Sequence, residues 1–286
     1  MAFATRSDVS RATAMLAPAY LWLTVAIFLP LSAMFFFSFA SAAPFVSADW
    51  RLTTANYAAF FSRSLYPYLL VRSLGLSAVV TALCLVIGYP CAYALAKQIK
   101  GRSREALFLL IILPFWSNSL VRIFSWAIVL RGNGLLDLAL NAALPFNVSV
   151  NLMFSYSAIV IGLVHSYVPY VVLTSYLALQ AIDDSLIDAA RSLGAPFRTI
   201  LARVLLPLSL PGLVAGATLV FVPVAGSFME ARILGGRAGT LYGTVIEDQF
   251  VAVFNWPLGA ALSFILLAVV LAIFGLSAPM LRRAQA

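Results

Sequence analysis

The sequence predicts an all-α membrane protein with six transmembrane helices. Three observations carry this. Of 286 residues, 63% are hydrophobic and only 10% charged, against about 25% charged in soluble domains. The mean hydropathy is +1.01. Six runs are almost free of Asp, Glu, Lys and Arg, and each exceeds the length of about 20 residues that crosses a bilayer core of about 30 Å.

In chain order the predicted spans are Met15 to Phe39, Ser73 to Ala96, Ala106 to Leu130, Leu152 to Leu177, Val204 to Met229 and Trp256 to Leu281. The first is too long for the core of a cleavable signal and is read as a retained helix. Only the third holds an internal charge, Arg122. An even number of spans puts both termini on one side of the membrane.

Lys and Arg in the short loops set the orientation. With cytoplasmic termini, that side carries Arg6, Arg11, Lys97, Lys100, Arg102, Arg104, Arg191, Arg198, Arg203, Arg282 and Arg283, which is 11 of the 18 basic residues. The net charge of +8 thus follows from topology and from attraction to anionic lipid. No basic face interleaved with aromatics suggests nucleic acid. The longer outer segments, Ala40 to Arg72, Arg131 to Asn151 and Glu230 to Asn255, read as interfacial helices and turns. With no linker, low-complexity tract or internal repeat, the chain is expected to be one membrane domain, 1–286.

Several function classes lose support at this point. One histidine, His165, and two cysteines give no zinc pattern, and no metal site is expected. Cys84 and Cys91, seven apart on one helix, would be about 10.5 Å apart along it, beyond disulfide reach. His165 and Ser166 are neighbours in sequence and do not face each other on a helix, which argues against an intramembrane hydrolase. An ion-coupled secondary transporter calls for carboxylates within the spans and for inverted repeats. No predicted span has a central Asp or Glu. Neither GxxxxGK[ST] nor GxGxxG occurs, so ATP, if used, is bound by another chain.

Residues 178–203, between the fourth and fifth spans, are unusual. Asp183, Asp184 and Ser185 suit a helix N-cap, and Ile182, Leu186, Ala189 or Ala190, and Leu193 recur at helical spacing. Gly194 suits a left-handed position after the helix, and Pro196 suits the start of another. The second helix is expected to carry Phe197, Ile200, Leu201 and Val204 on one face, with Arg198 and Arg203 away from it. The unit reads as helix, elbow, helix. A simple interfacial loop would share the amphipathic pattern, but not the spacing that follows.

That spacing is Asp188-Ala189-Ala190, three residues, Gly194, nine residues, then Val204-Leu205-Leu206-Pro207. It resembles the EAA loop of the permease subunits of bacterial ABC importers, with Asp for Glu and Val for Ile. The resemblance implies a type I importer permease fold, with a cytoplasmic coupling helix between helices 4 and 5 that docks on a separate ATPase. Asp188, Ala189, Ala190, Arg191, Gly194 and Pro207 are then the ATPase-coupling residues. Implied partners are a second six-span permease, an ATPase dimer that binds ATP and Mg, and a periplasmic substrate-binding protein, at a bacterial inner membrane. The chain itself would be no enzyme and would hold no cofactor.

Leu120 to Asp137 and Tyr242 to Phe264 are similar to the spermidine and putrescine branch of that family. Branches carrying ferric iron or phosphonates share the six-span core. Candidate pathway residues cluster at two prolines, because a proline inside a span frees carbonyls that only a protein or water lining can satisfy. Trp116 and Asn118 follow Pro114, while His165, Tyr167 and Tyr170 surround Pro169. Aromatic and hydroxyl groups suit an alkyl-ammonium through cation–π contacts, and they equally suit packing between helices. Arg122 belongs to this set, with outward snorkelling or a structural partner such as Asp137 or Glu230 expected ahead of substrate contact, since unpaired it would repel a cation. Glu230, at the outer end of the fifth span, is the candidate acid for attracting a polyamine or an ordinary helix-end charge.

Overall fold

The computed structural model describes residues 6–42, 51–143 and 151–285, and only the backbone of 6–14 and 276–285. The side chains of Arg6, Arg11, Arg282 and Arg283, used above for orientation, lie outside the described residues, as do parts of the two outer segments before the second and fourth spans. Among the described residues the regular structure is helical, apart from one antiparallel bridge between Ala40 and Leu52.

The helices in order are α1 Arg6–Ser38 and α2 Ala55–Ser62; α3 Leu65–Tyr93, continued by a π-helical turn Ala94–Gln98; α4 Arg102–Ile112, continued by a 3-10 turn Leu113–Trp116; and α5 Ser119–Leu130 with α6 Leu135–Ala143. Then come α7 Tyr156–Gln180, α8 Asp184–Ser192 and α9 Phe197–Ile200. A π turn Leu201–Leu205 leads into α10 Leu206–Ala225. The chain ends with α11 Met229–Gly235, α12 Tyr242–Val251 and α13 Trp256–Gln285.

Five described stretches are long and apolar enough to cross a membrane: Met15–Ser38, Leu65–Gln98, Tyr156–Gln180, Phe197–Ala225 and Trp256–Gly275. The expected third span is a pair, Arg102–Trp116 and Ser119–Leu130, bent by 97°. Counted as one, it brings the total to six. The second span starts earlier than expected, because Arg72, which ends the apolar run, lies inside the helix and spends its guanidinium on the carbonyls of Ala238 (2.8 Å) and Thr240 (3.4 Å).

The chain divides into two compact units, Met1–Ser62 with Asp248–Ile265 and Arg63–Glu247 with Leu266–Ala286. In the first, Asn56 closes the end of α1 by donating to the carbonyls of Ser38 (3.0 Å) and Ala40 (2.9 Å). Phe35 meets Phe264 edge-on at 5.3 Å. Only 6% of the apolar window of Met15–Ser38 is buried, against 44% for Tyr156–Gln180. A helix apolar all round and so little covered by its own chain fits a lipid or subunit environment.

The second unit is built on α3, α7 and α10. Leu76, Val80 and Cys84 of α3, Ile159, Leu163 and Val171 of α7, and Val220 and Val224 of α10 form one cluster. Tyr89, Ala92, Leu95, Val172, Tyr176 and Leu179 form another that continues into Ile182, Ile187, Ile200 and Leu205 of the connecting loop. Helices in lipid gain little from apolar burial against one another, so they associate through close backbone approach and hydrogen bonds. Both occur: Gly212 and Gly216 press α10 on α7, and Tyr89 Oη shares a buried hydrogen bond with Ser209 Oγ at 3.0 Å.

Candidate functional site: the coupling elbow and the broken third span

The loop between α7 and α10 forms the expected elbow. Asp183 caps α8, its carboxylate accepting the Ser185 amide at 2.9 Å. That hydrogen bond holds the Asp183 carboxyl below the usual carboxylate range. Ile182 and Ile187 are buried on the protein side, while Asp184, Asp188 and Arg191 are exposed. Leu186 and Leu193 are exposed too, which leaves the outward surface partly apolar. Asp188 and Arg191 pair at 3.4 Å, both well exposed, a contact of about 0–1 kcal/mol.

The helix ends in a doubly bonded turn. Gly194 donates its amide to Arg191 O at 2.8 Å, and Ala195 donates to Ala190 O at 3.1 Å. This is the Schellman arrangement, which needs a left-handed residue between the two bonds. Gly194 supplies it at φ +76°. Ala189 accepts the Leu193 amide at 3.1 Å, so both alanines of the signature feed the turn. Pro196 occupies the N-cap position of α9, and Pro207 follows the π turn Leu201–Leu205 inside a continuous helical stretch, Phe197–Ala225, where it removes a donor from the preceding turn.

One detail differs from expectation. Phe197, Ile200, Leu201 and Val204 do not form one buried face: Ile200 and Leu205 are buried, Leu201 and Val204 half-buried, and Phe197 half-exposed. The π turn over Leu201–Leu205 inserts a residue relative to α-helical register and moves the buried stripe to Leu205.

The second candidate region is the bend in the third span. Pro114 cannot donate, and its carbonyl accepts Arg122 Nη1 at 3.0 Å and Ser117 Oγ at 2.8 Å. Asn118 caps the new helix, accepting the Leu120 amide at 2.8 Å. Proline ends one helix and asparagine starts the next. The expected partners of Arg122, Asp137 and Glu230, are corrected here: Asp137 accepts the Asn133 amide at 2.8 Å, and Glu230 accepts Ser227 Oγ at 2.7 Å. The carbonyl freed by the bend lies nearer in the chain and takes the guanidinium.

The pathway candidates separate into two groups. Tyr167 stacks on Tyr170 at 5.8 Å, and Phe115 stands edge-on to Tyr170 at 4.5 Å. Arg122, through Pro114 O, and Tyr170, through Phe115, thus lie at the bend with Tyr167 stacked on Tyr170, while Glu230 stands at the start of α11 on Ser227. Trp116 projects outward, 89% exposed, and Asn118 is committed to its cap.

His165 packs edge-on to Trp126 at 5.4 Å and lines a cavity of about 560 Å³ with Leu83, Ile87, Val160, Val164 and Val168. That cavity is apolar and would strip a cation of water without replacement. Sequence reasoning missed Phe115 and Trp126, which hold the broken span against α7; the aromatic residue directly after Pro114 was the available signal for the first, and nothing marked the second. It also treated Lys97 as a topological charge alone.

Against this geometry, residues 85–284 match the family described as "Binding-protein-dependent transport system inner membrane component", and the chain belongs to it. It is 37% identical over 245 residues to the spermidine/putrescine transport system permease protein PotB of Salmonella typhimurium (strain SL1344), covering 86% of this chain and 85% of that one. A Haemophilus influenzae protein of the same description is 38% identical over 212 residues, 74% of this chain and 73% of that one. The fold is similar to a chain of a bacterial ABC transporter that imports the acidic polysaccharide alginate, with TM-score 0.74 and 16% identity over 97% and 98% of the two chains.

Proposed function

We propose that this chain is a permease subunit of an ATP-driven importer of spermidine or putrescine, forming half of the pathway through the inner membrane. The observation that carries it is the elbow: the Asp188 to Pro207 spacing is realised as an exposed helix ended by Gly194 at φ +76°, on a chain whose relatives are polyamine permeases.

The exposed face of α8, with Asp188, Arg191, Leu186 and Leu193, is the surface for a separate ATPase. That partner supplies ATP and Mg chemistry, and this chain performs none. A second six-span permease completes the pathway, and a periplasmic binding protein delivers substrate to the outer side. Both termini are cytoplasmic.

Tyr167, Tyr170 and Glu230 suit a polyamine, because phenolic rings and one carboxylate attract an alkyl-ammonium without the full desolvation of a tight ion-pair cage. Arg122 is held back from that cation by its bond to Pro114. Labelled spermidine uptake into proteoliposomes holding all four components tests the proposal. Uptake should require ATP and the binding protein and should weaken in Glu230→Gln; transport of another solute with no polyamine uptake rejects the substrate.

A further inference from the structure

Lys97 closes the cytoplasmic end of α3, within the π turn Ala94–Gln98. Its side chain is only 7% exposed, and its ammonium donates to Ile182 O and Asp184 Oδ1, both at 2.6 Å. A buried ammonium is costly unless such partners compensate it. The two acceptors lie on either side of the α7–α8 junction, one the carbonyl before the cap and the other the first residue of α8. Lys97 therefore grips the base of the coupling helix.

The same end of α3 touches the other arm of the elbow. Tyr93 packs its ring on Phe197 of α9 at 5.5 Å, and Tyr89 reaches Ser209 of α10. Chain connectivity gives the elbow direct handles on α7 and α10 alone. The third helix of the core, α3, is connected to it only through side chains.

On the permease function proposed above, on which this inference rests, we propose that Lys97 is a positioning residue that locks the elbow to α3. The second span then moves with the coupling helix as one rigid body, and the contact stays closed through the transport cycle. The competing role is a purely local one, in which the lysine satisfies a loop carbonyl and has no part in transmission.

The test uses the complete complex, with ATPase, second permease and binding protein, in proteoliposomes. Lys97→Met keeps the stem and removes the donors, and it should lower uptake per ATP hydrolysed about tenfold in complexes assembled at wild-type levels. A second arm stands even if that variant assembles poorly. In a Cys84→Ala, Cys91→Ala background, Lys97→Cys with Asp184→Cys should couple weakly, and a short bifunctional thiol reagent joining the two should restore coupling. Normal coupling in Lys97→Met, or a bridge that fails to restore uptake or blocks it, overturns the proposal. Loss of ATP-dependent uptake in the wild-type complex would instead count against the permease function itself.

Discussion

Gly212 of α10 lies against the carbonyl of Thr174 in α7, so close that a methyl group on it would stand 2.6 Å from that oxygen and 2.5 Å from the Ala178 methyl. One turn on, a methyl at Gly216 would be 2.6 Å from Thr174 Oγ1 and 3.2 Å from Val171 Cα. The pair is a Gly-x-x-x-Gly stripe, the spacing that lets membrane helices approach backbone to backbone.

Gly212→Leu should separate α7 from α10 and destabilise the protein by about 1–3 kcal/mol or more, as overpacking does. Thermal unfolding in detergent reads this. Gly75→Ala, at a helical glycine with open space around it, should unfold within a degree or two of wild type. Equal behaviour of the two variants would contradict the packing described.

Much of the fold is legible in the sequence, and for a physical reason. The number of spans follows from runs long enough for the bilayer, and the elbow from residue types with narrow backbone preferences: Asp183 at a cap, Gly194 in left-handed space, Pro196 at a helix start. The 97° bend is not legible in the same way, because hydropathy counts apolar residues without regard to direction. Pro114 marks the break, but only the structure shows Asn118 starting a new helix. The role of Lys97 is hidden as well, since its partners lie 85 and 87 residues away.

Arg122 provides a second test. Its bond to the part-buried Pro114 O spans eight residues across the bend, and a hydrogen bond to a charged group contributes about 1.5–3 kcal/mol. Arg122→Met should lower the unfolding temperature and speed proteolysis near Ser117. Unchanged cleavage and stability would show that proline and the Asn118 cap hold the bend alone.

The Lys97–Asp184 contact predicts a pH dependence. Hydrogen bonding and charge attraction from Lys97, with a smaller contribution from Lys100 and opposed by Asp183, hold the Asp184 carboxyl below its ordinary value of 3.8. A depressed carboxylate contributes stability that is fully present above its unfolded value and is lost as pH falls through the folded one. Wild type should therefore unfold at a higher temperature than Asp184→Asn from pH 7 down to about 4. The difference should begin to shrink as pH falls below 3.8 and vanish only once pH is below the lower folded-state value. A difference that persists there would assign it to another cause.

Orientation has a direct readout. A cytoplasmic-only reporter fused after Arg102 should be active and a periplasmic-only reporter near Gly239 should be active, following the basic loops. The reverse pattern would invert the topology and move α8 away from any ATPase.

The central claim is that the elbow carries ATPase motion into the membrane, and the ratio of substrate imported to ATP hydrolysed in the reconstituted complex tests it most directly. Nothing lies within 4 Å of a Cβ placed on Gly194, so a substitution there acts through the backbone alone. A β-branched residue at that left-handed φ costs about 1–3 kcal/mol. Gly194→Val should insert normally and yet dock the ATPase poorly or hydrolyse ATP without import, Gly194→Asn should retain most coupling, and Asp188→Arg should fail by reversing charge on the exposed face. If Gly194→Val and Asp188→Arg, present at wild-type levels, import as much substrate per ATP as the native chain, the loop is only a connection between spans and the claim is wrong.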